Sequence, residues 1–245
     1  GVKTDLKKSE IKNTTLDPIS LNDYLQKIKK LNIDNVILEA SSHGLKQNRL
    51  NGLDFKTGIF TNLSHDHLDY HKSFEDYLKS KLSLFQNLLR KNSNIITDIN
   101  IPQYRNIKRI AKKKELKIFT IGSKESDLEL MKHRYKEDKQ LFQIKYKNKI
   151  YDIIVDLIGK VQIKNILMAM IAAEKSNIKF KKIVKSIKNI KNVNGRFEKI
   201  GYIKNNSKVI LDYAHTPAAL SNCLQNLHEQ FINRKISIVF GCGGD

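Results

Sequence analysis

Short apolar runs, each about five residues long and each followed by a polar cluster and then an amphipathic stretch, set the rhythm of this chain's first half. Asn35-Val36-Ile37-Leu38-Glu39 predicts a buried strand. Before it, Leu21, Tyr24, Leu25, Ile28 and Leu31 share one helical face, which predicts a helix over 20–31. Residues 57–63 predict a second buried strand. Ser73, with Asp76 three positions on, predicts a helix start, and Phe74, Tyr77, Leu78, Leu82, Phe85 and Leu89 supply that helix with an apolar stripe. Ile95-Ile96-Thr97 and residues 117–122 predict further strands, with a basic helix over 104–114 between them. Strands alternating with helices point to the α/β class, with a mostly parallel sheet flanked by helices.

The rhythm changes near residue 127. Residues 128–135, 139–146 and 150–157 predict three strands with tight polar gaps, an antiparallel β extension to the sheet. Helices are expected over 162–175 and 180–190. A second change comes at Asn192-Val193-Asn194-Gly195-Arg196. Beyond it, Val209-Ile210-Leu211 predicts a strand. Thr216 is a good N-cap, with Pro217 at the first helical position and Leu220, Leu224, Leu227 and Phe231 on one face. Residues 236–240 predict a last strand, followed by Gly241-Cys242-Gly243-Gly244-Asp245. A chain that stops where a strand should enter a helix reads as a fragment, with one domain over 1–196 and the start of a second over 197–245.

Composition removes several classes of function. The 245 residues suffice for a sizeable core. No apolar run approaches the roughly 20 residues of a membrane span, and no signal peptide opens the chain. Two cysteines, Cys223 and Cys242, make no disulfide scaffold, which fits a reduced, cytoplasmic compartment. The net charge of +20 invites a nucleic-acid partner. Of the 45 basic residues, however, only seven are Arg, and the remaining 45 − 7 = 38 are Lys spread along the whole chain. Arg, whose planar fork matches phosphate and guanine, would be expected to dominate a reading surface. The charge therefore reads as a Lys-rich habit, and no nucleic-acid partner is expected.

Chemistry concentrates in two clusters at predicted strand ends, where open α/β sheets bind ligands. The first is Glu39-Ala40-Ser41-Ser42-His43-Gly44. The second runs from Asn62 to His71 and holds His65, Asp66, His67, Asp69 and His71. Carboxylates and imidazoles there suit a hard cation beside phosphates. Either cluster can also be plain capping and solvated loop. Lys81 follows in the next helix, where a lysine is ordinarily solvated. It can ligate a cation only after its amine is converted to a carbamate. No G-x-x-x-x-G-K-[ST] loop occurs in the chain.

These strings, with residues 13–18 (Asn-Thr-Thr-Leu-Asp-Pro), residues 212–217 (Asp-Tyr-Ala-His-Thr-Pro) and the terminal Phe-Gly-Cys-Gly-Gly-Asp, resemble the signatures of the Mur ligases, in family order over nearly the whole chain. The Ser-Ser-His-Gly and Asp-Tyr-Ala-His-Thr-Pro strings favour the MurE type. Folylpolyglutamate synthase is a cousin. The resemblance implies the central ATPase domain of a Mur ligase, followed by a truncated Rossmann-like C-terminal domain. It implies ATP-dependent addition of a third amino acid to UDP-N-acetylmuramoyl-L-alanyl-D-glutamate through an acyl phosphate, in peptidoglycan synthesis. Meso-diaminopimelate is expected ahead of L-lysine. By the same resemblance Glu39, His67 and a carbamylated Lys81 hold Mg2+. Asn13, Thr14, Thr15, Ser41, Gln47 and Arg49 bind the UDP-muramoyl-dipeptide. Asn165, Arg196 and Asp212 contact ATP, and His215 acts in the catalytic cleft. The expected partners are that dipeptide, ATP and the diamino acid, with a monomeric enzyme and no membrane insertion. Two positions depart from the pattern: Gln162 stands where Asn is usual, and Asn194 replaces a Pro. The family's P-loop is expected upstream of this stretch, so the stretch alone should be inactive.

Overall fold

A computed structural model of the chain describes residues 14–64 and 66–241. Two compact units share them. The first runs up to Gly58 and takes in His67–Ile95 and Arg105–Ile118; the second holds Ile59–Asp66, Ile96–Tyr104 and the chain from Phe119 onward.

Local chemistry sets the helix starts. Helix α1 (Pro18–Lys30) begins behind Asp17, whose carboxylate accepts the amides of Ile19 and Ser20. The short α2 (Ser42–Lys46) begins behind Ser41. Strand β1 (Phe55–Phe60) leads to α3 (Phe74–Asn87), where Ser73 Oγ accepts the Asp76 amide at 3.1 Å as its spacing predicts. Strand β2 (Leu89–Asp98), helix α4 (Tyr104–Lys114) and strand β3 (Lys117–Gly122) follow, the last two at the residues expected. Leu21, Leu45, Leu50 and Leu88 form the first unit's core. Phe85 is fully buried against Gly58, where an added Cβ would lie 2.8 Å from the Phe85 ring. Only a glycine lets that ring lie against the strand.

Strands β4 (Leu128–Lys136), β5 (Lys139–Tyr146) and β6 (Lys149–Val155) complete a six-stranded sheet in the order β1-β2-β3-β4-β5-β6. Helical crossovers join β1 to β2 and β2 to β3, the connection that parallel neighbours require. Strand β3 pairs with β4 in parallel, whereas β4-β5-β6 is the expected antiparallel meander. Helices α5 (Lys160–Lys175) and α6 (Phe180–Ile187) add Ile163, Leu167, Met170, Ile171, Ile183 and Ile187 to the core that contains Phe142 and Ile144. A separate hairpin, β7 (Glu198–Ile203) with β8 (Ser207–Leu211), precedes α7 (Pro217–Gln230), which Thr216 caps.

Buried amides tie the second unit together. Gln140 is fully buried on β5, and its Nε2 donates to the carbonyls of Leu157 and Gly159 at 2.8 and 3.0 Å. Gln230 at the end of α7 accepts the Gly159 amide at 2.9 Å. Gly159 itself has φ +86°, and an added Cβ would meet the Phe197 ring at 3.2 Å. Ile158, Phe197 and Cys223 pack as a small cluster beside it. Burial, helped by Asp212, pushes the Cys223 thiol up to about 11, so it stays protonated and inert.

Two predicted strands are corrected. Residues 35–39 and 236–240 form no ladder among the described residues. Ile37 is 95% exposed and Val239 fully exposed. An apolar run states a demand for cover, but a strand exists only where a neighbour supplies hydrogen bonds, and none of the described residues does so at either place. The second strand, expected over 57–63, ends at Phe60.

Gln140→Leu should lower stability in urea unfolding by about 2 kcal/mol, because two buried carbonyls lose their donor. Glu174 should show in the acid limb. Burial raises its pKa, but hydrogen bonds from Lys147, Lys175 and Tyr146 outweigh that and hold it at about 2, against an ordinary 4.5. A depressed folded pKa stabilises above the unfolded value, so this contribution is present above pH 4.5 and fades as pH falls towards 2. Thermal melting between those limits should be less steep for Glu174→Gln than for the parent.

Candidate functional site

In the first unit the extended segment leading to Ser41 is held by one hydroxyl. Thr15 is 4% exposed. Its Oγ1 donates to the Glu39 carbonyl at 2.8 Å, accepts the Ser41 amide at 2.9 Å and lies 3.0 Å from Ser41 Oγ. Ser41 Oγ then accepts the Gly44 amide at 3.1 Å and starts α2. Gly44 packs on Thr15 so closely that an added Cβ would fall 2.7 Å from its methyl group. Arg49 closes the loop, donating through Nη1 to the Thr15 carbonyl at 2.7 Å and through Nε to Gln47 Oε1 at 2.8 Å. Gln47 Nε2 reaches the Tyr70 hydroxyl at 3.0 Å.

The turn after residue 66 meets this loop through rings. His43 lies 4.0 Å from Tyr70, 5.0 Å from His67 and 5.7 Å from His71, centroid to centroid. His67 has φ +56°, and its carbonyl accepts the amides of Tyr70 and His71. His71 is buried, with Nε2 2.9 Å from Ser42 Oγ. Burial, with help from the Lys46 charge, pushes its pKa down against the pull of Asp76. The Lys46 ammonium, hydrogen-bonded to Asp76, holds that carboxyl below its usual range. Lys81 is half-buried on α3, its Nζ 5.2 Å from the Tyr77 ring centre.

Of the residues expected at a site, then, Thr15, Glu39, Ser41, Gln47, Arg49 and His67 come together in one loop-and-turn assembly beside α3. Thr14 is exposed next to it, and Asn13 lies outside the described residues, as does His65. Thr15 spends its hydroxyl on the backbone, which makes it a holder of the loop. Ser42, His43, Tyr70, Asp76 and Tyr77 belong to the same assembly. The sequence signals that separate them from ordinary helix and turn residues are weak, since each is common in such places.

The remaining expected residues lie in the second unit. Asp212 accepts the amides of Phe197 and Ala214, both at 2.9 Å, and so ties the turn after Arg196 to the segment after β8. The Arg196 guanidinium sits 4.9 Å over the Tyr213 ring, and His215 meets the same ring edge-on at 5.0 Å. Asn165 is exposed on α5 and donates to Gln162 at 3.3 Å.

Among the described residues no group of three His, Cys, Asp or Glu stands ready to hold a metal ion. Glu39 and His67 offer one carboxylate and one imidazole, and Lys81 adds oxygens only as a carbamate. That donor set fits a hard dication completed by phosphate oxygens and water, which is how Mg2+ is usually held, and does not make a closed protein cage. No helix among the described residues is long and apolar enough to cross a membrane.

Residues 1–173 match the model of the Mur ligase middle domain, and residues 195–245 that of the Mur ligase, glutamate ligase domain. The chain belongs to the Mur ligase family. A relative from Chelativorans sp. (strain BNC1), named UDP-N-acetylmuramoyl-L-alanyl-D-glutamate–2,6-diaminopimelate ligase, is 35% identical over 232 residues, 95% of this chain and 48% of that one. A solved structure of a ligase with the same name is 30% identical, with a TM-score of 0.75 over 94% of this chain and 47% of its own. Folylpolyglutamate synthase from Mycobacterium tuberculosis, 18% identical, shares the fold with a TM-score of 0.60 over 74% of this chain and 40% of its own. The chain spans about half the length of the curated Mur ligases it matches.

Thr15→Val keeps the shape but removes the hydroxyl. It should cost about 1–3 kcal/mol, and amide exchange at Ser41 should speed up as its acceptor is lost.

Proposed function

We propose that this chain is the central part of a MurE-type ligase, which joins meso-diaminopimelate to UDP-N-acetylmuramoyl-L-alanyl-D-glutamate at the expense of ATP. The observation that carries the reading is the meeting of two separate polar clusters, through His43, His67, Tyr70 and His71, beside the helix that bears Lys81. The names of the relatives supply the substrate and the amino acid.

In this reading a substrate carboxylate oxygen attacks the γ-phosphorus of ATP, the bond to the β-phosphate breaks, and an acyl phosphate and ADP result. The amine of the diamino acid attacks that carbon, and phosphate leaves from the tetrahedral intermediate. Mg2+, held by Glu39, His67 and the Lys81 carbamate, would supply charge neutralisation at the phosphates. The Lys81 carbamate forms when its neutral amine attacks carbon dioxide and a proton is released, which turns a cation into an anion on the same arm. Arg49 already donates to Thr15 and Gln47, so its guanidinium plane is preset, and its remaining N–H donors would serve the polyanionic substrate. Thr14, Ser41 and Gln47 line the same loop, with Asn13 just before it. Arg196, stacked on Tyr213, and Asp212 contact the nucleotide, with Asn165 as a further contact, and His215 acts in the catalytic cleft. The domains divide near residue 196, and the enzyme works as a cytoplasmic monomer.

The test uses the full-length enzyme with ATP, UDP-N-acetylmuramoyl-L-alanyl-D-glutamate and meso-diaminopimelate, with the tripeptide product read by mass. Lys81→Ala should lower kcat on the order of 10³-fold, the scale expected when charge stabilisation at a transferring group is lost. Full turnover in that variant ends the carbamate role. Absence of product from the parent with this substrate ends the MurE reading.

A further inference from the structure

His71 has no part in the proposed chemistry. It is 1% exposed, and Ser42, whose Oγ lies 2.9 Å from its Nε2, is 3% exposed. Its Nδ1 faces Asp76 Oδ2 at 3.6 Å. That contact favours the proton on Nδ1, which leaves Nε2 to accept from the Ser42 hydroxyl. The ring stacks on Tyr77 with centroids 5.0 Å apart and planes 29° from parallel. Its amide donates to the His67 carbonyl at 2.9 Å.

These contacts reach three separate segments. Ser42 is three residues beyond Glu39. His67 opens the turn that His71 closes. Tyr77 stands one helical turn before Lys81 on α3. Among the described residues the segment holding Glu39 has no strand ladder, and α2 is only 5 residues long, so regular structure among them does little to hold this loop against α3. The Lys46–Asp76 pair also links them, but both side chains are about 30% exposed, where an ion pair contributes little. A buried hydrogen bond and a buried ring stack are the stronger constraints. The serine–histidine–aspartate order resembles the array that activates a nucleophile. Ser42 is covered, however, and a covered hydroxyl cannot meet an acyl carbon.

We infer that His71 is a positioning residue: through Ser42, His67 and Tyr77 it sets in register the three segments that carry Glu39, His67 and Lys81. The inference rests on the reading of those three as Mg2+ ligands. Partners of this kind, one step removed from a metal, change its affinity by about 10–100-fold when lost.

The experiment titrates the full-length, ATP-loaded enzyme with Mg2+ by calorimetry, without the amino-acid substrate, alongside thermal melting and steady-state kinetics. His71→Phe keeps the ring volume and the stack on Tyr77 but removes both nitrogens. Ser42→Ala removes the other end of the same bond and is the milder change to the fold. Each should weaken Mg2+ binding about tenfold or more and lower kcat, with KM for the UDP-linked substrate changed less than about threefold. The double variant should be no worse than the worse single one, since both break one bond. His71→Gln, whose side-chain oxygen can accept from Ser42, should recover part of the Mg2+ affinity. A lower melting temperature with unchanged Mg2+ binding in His71→Phe and Ser42→Ala overturns the inference and leaves a purely structural histidine. A titration weakened by Glu39→Ala but unmoved by His71→Phe removes the His71 role alone. A titration unmoved by either removes the reading of the site as well.

Discussion

The Thr15 hydroxyl, between the Glu39 carbonyl and the Ser41 amide, is the interaction on which the candidate site depends. The apolar segment before Ser41 lacks a ladder among the described residues, so its backbone has to be satisfied one group at a time. Thr15 does this with a single buried oxygen, and Gly44 packs against its methyl too tightly for any other residue. From there Ser41 caps α2, Arg49 clasps the Thr15 carbonyl, and Gln47 reaches Tyr70. A polar lattice of this kind keeps its geometry only if every member is present, because each buried group left without a partner costs more than the bond it made was worth.

The second unit solves a related problem with amides. Gln140 and Gln230 satisfy the backbone around Gly159, where the positive φ prevents regular structure. Asp212 joins the start of the hairpin to the segment that carries His215. Residues that resemble nucleotide contacts are thus also joints of the backbone. A substitution at Asp212 would disturb both roles, so the loss of activity it produced would not by itself assign a contact.

Much of the architecture was legible because it rests on local rules. Ser73 and Thr216 cap helices where their spacing with the following residues requires it. Helix α4 and strands β3 and β5 fall at the expected residues, since their apolar periods are strong and polar turns bound them. The runs at 35–39 and 236–240, expected as strands, form no ladder among the described residues: hydrophobicity measures what a segment avoids, whereas a ladder needs a neighbour that local pattern cannot supply. His71 shows the same limit from the other side. Three histidines in seven residues could have been a solvated loop, and nothing in that string says that the last of them is buried against Ser42, 29 residues earlier in the chain.

By itself the sequence determined the class, the order of the helices, the meander and the family, because periodicity, caps and motif order are properties of neighbours along the chain. Tertiary structure alone decided that both apolar runs lack a ladder among the described residues, that Thr15 is a holder of the loop, and that His43, His67, His71, Tyr70 and Tyr77 form one assembly. Those facts depend on burial and on distances of a few ångströms between residues far apart in sequence, and such distances exist only once the chain has packed.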